Sequence, residues 1–173
     1  KLSVLVDNSF SEASALHVEN DYQSYGGISR GVMLEQLPKH YIKQLHFTPV
    51  CKDDTWYAQL ELVIASLDGK PWKGKVSVSL KGCDDVNENV LYTQSCSTGA
   101  GELVLKSDLI ACENAKPWAS EHPTLYMFSA QLEDEDGKVI DDLIDRVGFR
   151  EVRTQGKDIL LNGKKLQIKG FCR

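Results

Sequence analysis

The sequence predicts an all-β protein built around an antiparallel β-sandwich, and three observations support this. Apolar side chains recur at every second position in most segments, as in strands that bury one face. Asp-Gly and Asn-Gly pairs stand between consecutive strand candidates, and such pairs favour tight hairpin turns. No window shows the 3.6-residue period of a long amphipathic helix, so strands must supply the core.

The strand candidates follow one another along the whole chain. They cover residues 2–9, 55–66, 74–82, 124–134 and 138–152. The predicted core faces carry Trp56, Ala58, Leu60, Leu62 and Ile64 in 55–66, and Val76, Val78 and Leu80 in 74–82. The predicted hairpin turns are Asp68-Gly69, Asp136-Gly137 and Asn162-Gly163. Residues 107–113 are expected to form one short helical turn at most.

About seven strands are expected between residues 41 and 150, at a spacing typical of an immunoglobulin-like β-sandwich. The predicted sandwich domain spans 39–152. Residues 1–38 hold two or three strand candidates, too few for a stable domain. Residues 153–173 hold one hairpin and stop within the strand-like stretch "GFCR". We therefore expect the flanks to be partial and the chain to be a piece of a longer protein.

Composition disfavours several function classes. The net charge is −5, with 25 acidic against 20 basic residues, whereas nucleic-acid binders are usually basic. No apolar run approaches the ~18 residues of a membrane-spanning helix. The five cysteines form no C-x-x-C pair and the four histidines show no ligand spacing, so neither a metal nor a cofactor is expected. The first residues do not resemble a signal peptide, and the compartment stays open.

Two local motifs favour structural roles. The stretch "YGGISR" (25–30) is no P-loop, because no G-K-[ST] follows, and no dinucleotide fingerprint. It is predicted to be a bulged turn leading into a strand. The acidic run 133–145 fails as a calcium loop, because alignment on its glycine puts Leu132 and Leu143 at carboxylate positions. Solvated carboxylates around a hairpin are expected there.

The tryptophans could offer a stacking surface for a sugar. Trp56 lies in phase with a predicted core face and is expected to be buried. Trp72 and Trp118 each follow a proline near a loop end, so both are candidates for exposure.

Four segments in order resemble glycoside hydrolase family 2, the β-galactosidase and β-glucuronidase group. Residues 2–9 and 21–34 are similar to the end of the family's jelly-roll sugar-binding domain. Residues 116–152 resemble its immunoglobulin-like domain, with the Gly-Phe-Arg exit. Residues 159–173 resemble the Leu-Asn-Gly-Lys hairpin and the first strand of the TIM-barrel catalytic domain, although Cys172 replaces a common asparagine. The expected domains are thus 1–38, 39–152 and 153–173.

The resemblance implies a retaining β-glycosidase, which uses two carboxylates about 5–5.5 Å apart. Both catalytic glutamates of the family belong to later barrel strands, beyond Arg173, so this chain is expected to hold no catalytic residue and to be inactive alone. Asp21 and Arg173 are the candidate substrate-binding residues of the intact enzyme. Arg30 and Arg150 are expected to make structural bonds at domain junctions.

The expected partner is a β-glycoside, without nucleic acid or membrane, and a homo-oligomer is left open. The sandwich would act as a spacer between the sugar-binding domain and the barrel. The alternative is an autonomous immunoglobulin-like adhesion or carbohydrate-binding module.

Overall fold

A computed structural model describes residues 2–7, 9, 26–83, 87–99 and 101–170. Every regular element in these ranges is a β-strand, so no helix there could cross a membrane. The strands are β1 (His40–Lys52), β2 (Thr55–Ser66), β3 (Trp72–Gly82), β4 (Asn89–Thr98), β5 (Leu103–Lys106), β6 (Ile110–Ala111), β7 (Tyr126–Asp134), β8 (Val139–Val147), β9 (Val152–Gln155), β10 (Asp158–Leu161) and β11 (Lys164–Lys165).

The first sheet has β2 at its centre. Strand β1 pairs with β2 along almost their whole length, from His40 opposite Ser66 to Lys52 opposite Thr55. The two residues between them, Asp53 and Asp54, both have positive φ, which matches the twist of a tight hairpin. On its other side β2 pairs with two short strands in succession, β5 and then β6.

Ser107 maintains hydrogen bonding across the gap between β5 and β6. Its amide donates to Leu60 O at 3.0 Å, and its hydroxyl accepts from Leu60 N at 2.9 Å. The backbone of β2 is therefore satisfied where no regular strand faces it. The expected upper limit of one short helical turn in 107–113 holds: the segment forms no helix, continues along the sheet and contains β6.

The second sheet has the order β4-β3-β7-β8 and is antiparallel throughout. This is the C′CFG order of immunoglobulin-like domains. The turn between β7 and β8 is the predicted Asp-Gly turn. Asp134 Oδ1 accepts from the amides of Asp136 and Lys138 at 3.0 and 2.9 Å, and Gly137 has a φ of 77°. The acidic run thus includes a carboxylate that caps a hairpin turn.

The two sheets enclose one apolar core, which confirms the predicted all-β sandwich. All the predicted core positions of β2 and β3 are buried. Phe128 from β7 and Phe149 fill its centre, and Phe47 from β1 makes edge contacts of 5.2 Å with both rings. The predicted burial of Trp56 is confirmed.

Trp72 is buried too, with 8% of its surface exposed, so the expectation of an open position is wrong. Its ring packs on Gly74, where a Cβ would lie 2.0 Å from Glu133 O and 2.4 Å from the ring itself. Glycine two residues further along the same strand provides this space, which side-chain alternation does not reveal.

One side chain links the edges of the two sheets. The amide of Ile42 in β1 donates to Asp141 Oδ2 of β8 at 2.7 Å, in a partly buried setting. The register of β1 shifts between Ile42 and Gln44, where the strand bulges. The bulge leaves an amide free for a partner in the other sheet.

The first of two compact units, Lys1–Gln36, contains no strand in its described residues, 2–7, 9 and 26–36. The strands predicted for residues 2–9 and after "YGGISR" are therefore wrong for this part of the chain. Leu5 and Leu34 are each 95% exposed. Alternation marks the two faces of a strand, but a strand forms only when a neighbour completes its hydrogen bonds.

The second unit, Leu37–Arg173, contains the sandwich and a small antiparallel sheet of order β11-β10-β9. The predicted Asn162-Gly163 turn joins β10 to β11, and both of its residues have positive φ. The unit boundary does not separate residues 39–152 from 153–173, so the three-part domain assignment stays a prediction.

Candidate functional site

The two predicted sugar-binding residues, Asp21 and Arg173, lie outside the described residues, and their roles stay predictions. The described residues include a larger cleft, a smaller cavity and a polar junction that could serve a function. A glycosidase site would need a cleft with paired carboxylates.

The larger cavity is a cleft of about 990 Å³ beside the end of β3, the start of β4 and the segment 111–126. Its polar lining includes Glu113, His122 and Lys116, and Glu113 is the one acidic residue among the lining residues that the structure describes. A retaining glycosidase needs two carboxylates in one cleft. This cleft therefore does not provide the chemistry of that reaction.

The smaller cavity, about 350 Å³, lies over the outer face of the first sheet. Lys106 Nζ contacts Glu61 Oε2 there at 2.7 Å, and this bond holds the pKa of Glu61 below its usual value. Both side chains are partly exposed, and exposed ion pairs contribute little to stability. The arrangement is a cross-strand pair on a solvated sheet, without a partner group for catalysis.

Thiol chemistry is not favoured among the described cysteines. Cys51, Cys83, Cys96 and Cys112 are free, and burial raises the pKa of Cys96 and of Cys112. A raised pKa keeps the thiol protonated, and the thiol is a weaker nucleophile and ligand than the thiolate. Within the described residues no three His, Cys, Asp or Glu side chains cluster as a metal site would require.

The polar junction, which we call the hairpin seam, consists of Pro117, Trp118, residues 148–151 and Asn162. It joins the sandwich to the β10–β11 hairpin. Strand β8 ends at Val147, so the predicted strand 138–152 is interrupted here. The chain then pairs through Phe149 with Pro117 in a parallel bridge, and Trp118 N donates to Phe149 O at 2.8 Å.

Asn162 makes three hydrogen bonds at the seam. Its backbone amide donates to Glu151 O at 2.9 Å, and its Oδ1 accepts from Glu151 N at 2.9 Å. Its Nδ2 donates to Trp118 O at 2.8 Å. Asn162 has a φ of 49°, a conformation in which asparagine is enriched among non-glycine residues. The same residue thus builds the hairpin turn and fastens it to two other segments.

The indole of Trp118 is covered on two sides. The guanidinium carbon of Arg150 lies 5.2 Å from the ring centroid, in the range of a cation–π contact. A Cβ at position 148 would come within 3.2 Å of Trp118 Cβ, so glycine allows the close approach. Trp118 is half-buried and structural, rather than an open stacking surface. Arg30 is exposed, and its junction role stays a prediction.

Phe149 anchors the seam in the sandwich core. Its ring is fully buried and makes edge contacts with Phe47, Trp56 and Tyr126 at 5.2 to 5.8 Å between centroids. Tyr126 in turn accepts a hydrogen bond from Lys116 N at 2.7 Å. The segment before Trp118 is therefore tied to the same aromatic cluster as the segment after β8.

Sequence reasoning identified the Asn162-Gly163 turn but missed the role of the asparagine side chain. The signal that was available is chemical: an amide both donates and accepts, so an asparagine in a turn can bridge two backbone segments. Its partner Trp118 lies 44 residues away along the chain, which no local pattern shows.

Comparison with known proteins gives a consistent result. The sequence model for glycosyl hydrolases family 2 matches residues 40–150. The β-galactosidase large subunit of Lactobacillus acidophilus is 30% identical over 100% of this chain and 27% of its own length. A β-galactosidase of Bifidobacterium adolescentis is 28% identical over 95% of this chain and 15% of its own length. The chain thus spans less than a third of these relatives.

Solved structures show the same fold. The crystal structure of a family 2 β-galacturonidase from Eisenbergiella tayi, bound to galacturonate, is 47% identical, with a TM-score of 0.86 over 97% of this chain and 29% of that one. A β-glucuronidase from Ruminococcus gnavus is 22% identical, with a TM-score of 0.59 over 78% of this chain and 20% of that one, and shares the fold. The match of the family model over most of the chain shows that the chain belongs to glycosyl hydrolases family 2.

Proposed function

We propose that this chain is the non-catalytic spacer region of a retaining β-glycosidase, and that the intact enzyme cleaves β-galacturonides. The observation that carries the substrate is the 47% identity to the Eisenbergiella β-galacturonidase along 97% of the chain. Identity to the Lactobacillus β-galactosidase subunit is lower, at 30%. We therefore expect the substrate to be a β-glycoside of a uronic acid with the galactose configuration.

Two features support a spacer role. The cleft among the described residues has a single acidic lining residue, Glu113, whereas retention needs a nucleophile and an acid/base. The hairpin seam, by contrast, ties the last strands to the sandwich through directional bonds, as a connecting domain requires. The chain therefore orients other parts of the enzyme and carries out no bond cleavage itself.

The predicted substrate contacts suit a galacturonide. An aspartate such as Asp21 accepts hydrogen bonds from sugar hydroxyls. A guanidinium such as that of Arg173 pairs with the carboxylate of a uronic acid, with two parallel bonds when both groups lie in one plane. Replacement of Arg173 by glutamine in the intact enzyme should therefore weaken binding of a galacturonide more than binding of a galactoside.

The test compares substrates on the intact enzyme. We expect the kcat/KM for p-nitrophenyl β-D-galacturonide to exceed the values for the β-D-glucuronide and the β-D-galactoside, with retained anomeric configuration by NMR. A higher value for the galactoside would overturn the substrate assignment. Turnover of any of the three by the 173-residue chain alone would overturn the spacer role.

A further inference from the structure

We propose that Asn162 is a positioning residue of the enzyme. Its side-chain amide holds the β10–β11 hairpin in one orientation on the sandwich, and so sets the direction of the chain after Leu166. This inference rests on the proposed function, because positioning matters only if residues beyond the hairpin contribute to a catalytic site.

The geometry restricts the hairpin in more than one direction. The reciprocal pair between Asn162 and Glu151 fixes the hairpin to the segment between β8 and β9, which leaves the sandwich. The bond from Asn162 Nδ2 to Trp118 O fixes it to a different segment, one that runs beside the seam. A single attachment would leave rotation about its axis, but attachments to two segments remove that freedom.

Other contacts do not supply this restraint. Among the described residues, the bond from Asn162 Nδ2 to Trp118 O is the one hydrogen bond that joins residues 152–170 to the part of the chain before residue 148. In this small sheet Val152 and Ile159 are exposed, whereas Leu160 and Leu161 are half-buried. None of these side chains packs against the buried core of the sandwich. The ion pair between Lys165 and Asp158 lies within the sheet. Packing against the sandwich core therefore does not fix the hairpin.

We call the two side-chain hydrogen bonds of Asn162, to Glu151 N and to Trp118 O, the bridge. Its end at Trp118 is attached to the sandwich core. Trp118 is bonded to the backbone of Phe149, whose fully buried ring belongs to the aromatic cluster of the core. The amide of Asn162 thus connects the hairpin to the most constrained part of the sandwich. In an enzyme whose reacting groups lie beyond the hairpin, a displacement of about 1 Å can cost up to about 100-fold in rate.

Asparagine is the residue type that this bridge requires. It tolerates a positive φ, accepts through Oδ1 and donates through Nδ2. Glycine keeps the backbone conformation and loses both side-chain bonds. Aspartate keeps the acceptor for Glu151 N and loses the donor to Trp118 O. Together, the two replacements distinguish the role of Asn162 in the turn from the role of its side-chain hydrogen bonds.

The experiment uses the intact enzyme with Asn162→Gly, Asn162→Asp and the control Asp136→Gly, which also replaces the residue before the glycine of a hairpin turn, here between β7 and β8. Measurements are kcat and KM for p-nitrophenyl β-D-galacturonide, the melting temperature, and amide hydrogen exchange of residues 151–166. We expect about a tenfold lower kcat for Asn162→Gly at a temperature where the enzyme is fully folded, an intermediate loss for Asn162→Asp, and no loss for the control. Exchange should accelerate in both Asn162 variants.

Three outcomes would overturn the inference. Faster exchange with unchanged kcat would make the bridge structural only, and unchanged exchange would show that the amide does not hold the hairpin. An equal loss of kcat in Asp136→Gly and Asn162→Gly would show that the effect is not particular to Asn162. If the wild-type enzyme cleaves no β-glycoside, the proposed function fails and the catalytic part of this inference with it, while the exchange data still decide whether Asn162 holds the hairpin.

Discussion

The sandwich core and the hairpin seam adjoin each other but are held together by different forces. The core is an apolar cluster between two sheets, where burial is favourable in any orientation that fills the space. At the seam, hydrogen bonds of Asn162 attach the hairpin to the sandwich, and these depend on direction. From this difference we expect the core to determine the stability of the fold, and the seam to determine the orientation of the β10–β11 hairpin. Substitutions in the core should therefore lower the free energy of unfolding, whereas substitutions in the seam should mainly change hydrogen exchange in the hairpin.

The largest expected effect comes from the residue that both regions share. Phe149→Ala should lower the free energy of unfolding by about 3–5 kcal/mol, as large-to-small changes of buried aromatic residues do. Phe128→Ala is the matched control, because Phe128 is equally buried and lies in β7, away from the seam. Denaturant unfolding measures the stability, and hydrogen exchange measures the hairpin.

Both variants should lose similar stability, but under native conditions only Phe149→Ala should accelerate exchange in residues 151–166. Equal acceleration in both variants would show that the hairpin opens whenever the core is weakened, and would contradict the proposed difference between core and seam.

A smaller effect is expected from the cation that covers Trp118. Arg150→Gln removes the cation–π contact and should cost about 0.5–1 kcal/mol, since the site is partly exposed. Arg146→Gln, on the exposed part of β8, serves as the control for loss of one positive charge. Thermal unfolding of the two variants provides the measurement. An equal loss in both would assign the effect to net charge rather than to the indole.

The smallest effect concerns pH. The amide of Lys70, which donates to Asp68 Oδ1 at 3.1 Å, holds the pKa of Asp68 below the usual 3.8. Because the folded-state pKa is the lower one, this stabilisation is fully present above pH 3.8 and is lost as the pH falls through the folded-state value. The bridge of the seam uses amide and peptide groups, which do not titrate in this range.

Asp68→Asn should therefore reduce the loss of unfolding free energy that the wild type shows at low pH. The exchange rates of the hairpin, corrected for intrinsic chemistry, should stay independent of pH between about 3 and 6. Urea unfolding at several pH values measures the first, and exchange the second. Parallel curves for wild type and Asp68→Asn would contradict the assigned role of this carboxylate.

Much of the sandwich could be predicted from local pattern. The alternation in 55–66 correctly predicted five buried positions of β2, because a strand that buries one face must repeat with period two. It did not predict the burial of Val63 and Ala65 on the other face of the strand. The Asp-Gly and Asn-Gly pairs predicted positive φ at Gly69, Gly137 and Gly163. The hairpin predicted at Asp68-Gly69 is wrong, because the connection there joins β2 and β3, which lie in different sheets. These features depend on neighbours within a few residues.

The candidate site could be predicted only in part. The Asn162-Gly163 turn was expected, and so was a structural bond of Arg150, which contacts Trp118. The bridge itself was not, because Trp118, Glu151 and Asn162 meet only after the sandwich has formed. Asp21 and Arg173 rest on the family resemblance, and nothing in the described residues tests them.

The sequence by itself determined the fold class, the core faces of β2 and β3, and the hairpin turns at Asp136-Gly137 and Asn162-Gly163, because backbone geometry and side-chain alternation act locally. Tertiary structure alone decided which strand neighbours which, that Ser107 completes the edge of β2, and that residues 26–36 form no strand despite their alternation. It also decided that one asparagine connects three segments. The physical reason is that a hydrogen bond needs its partner in place, and the partner's position is a property of the whole fold.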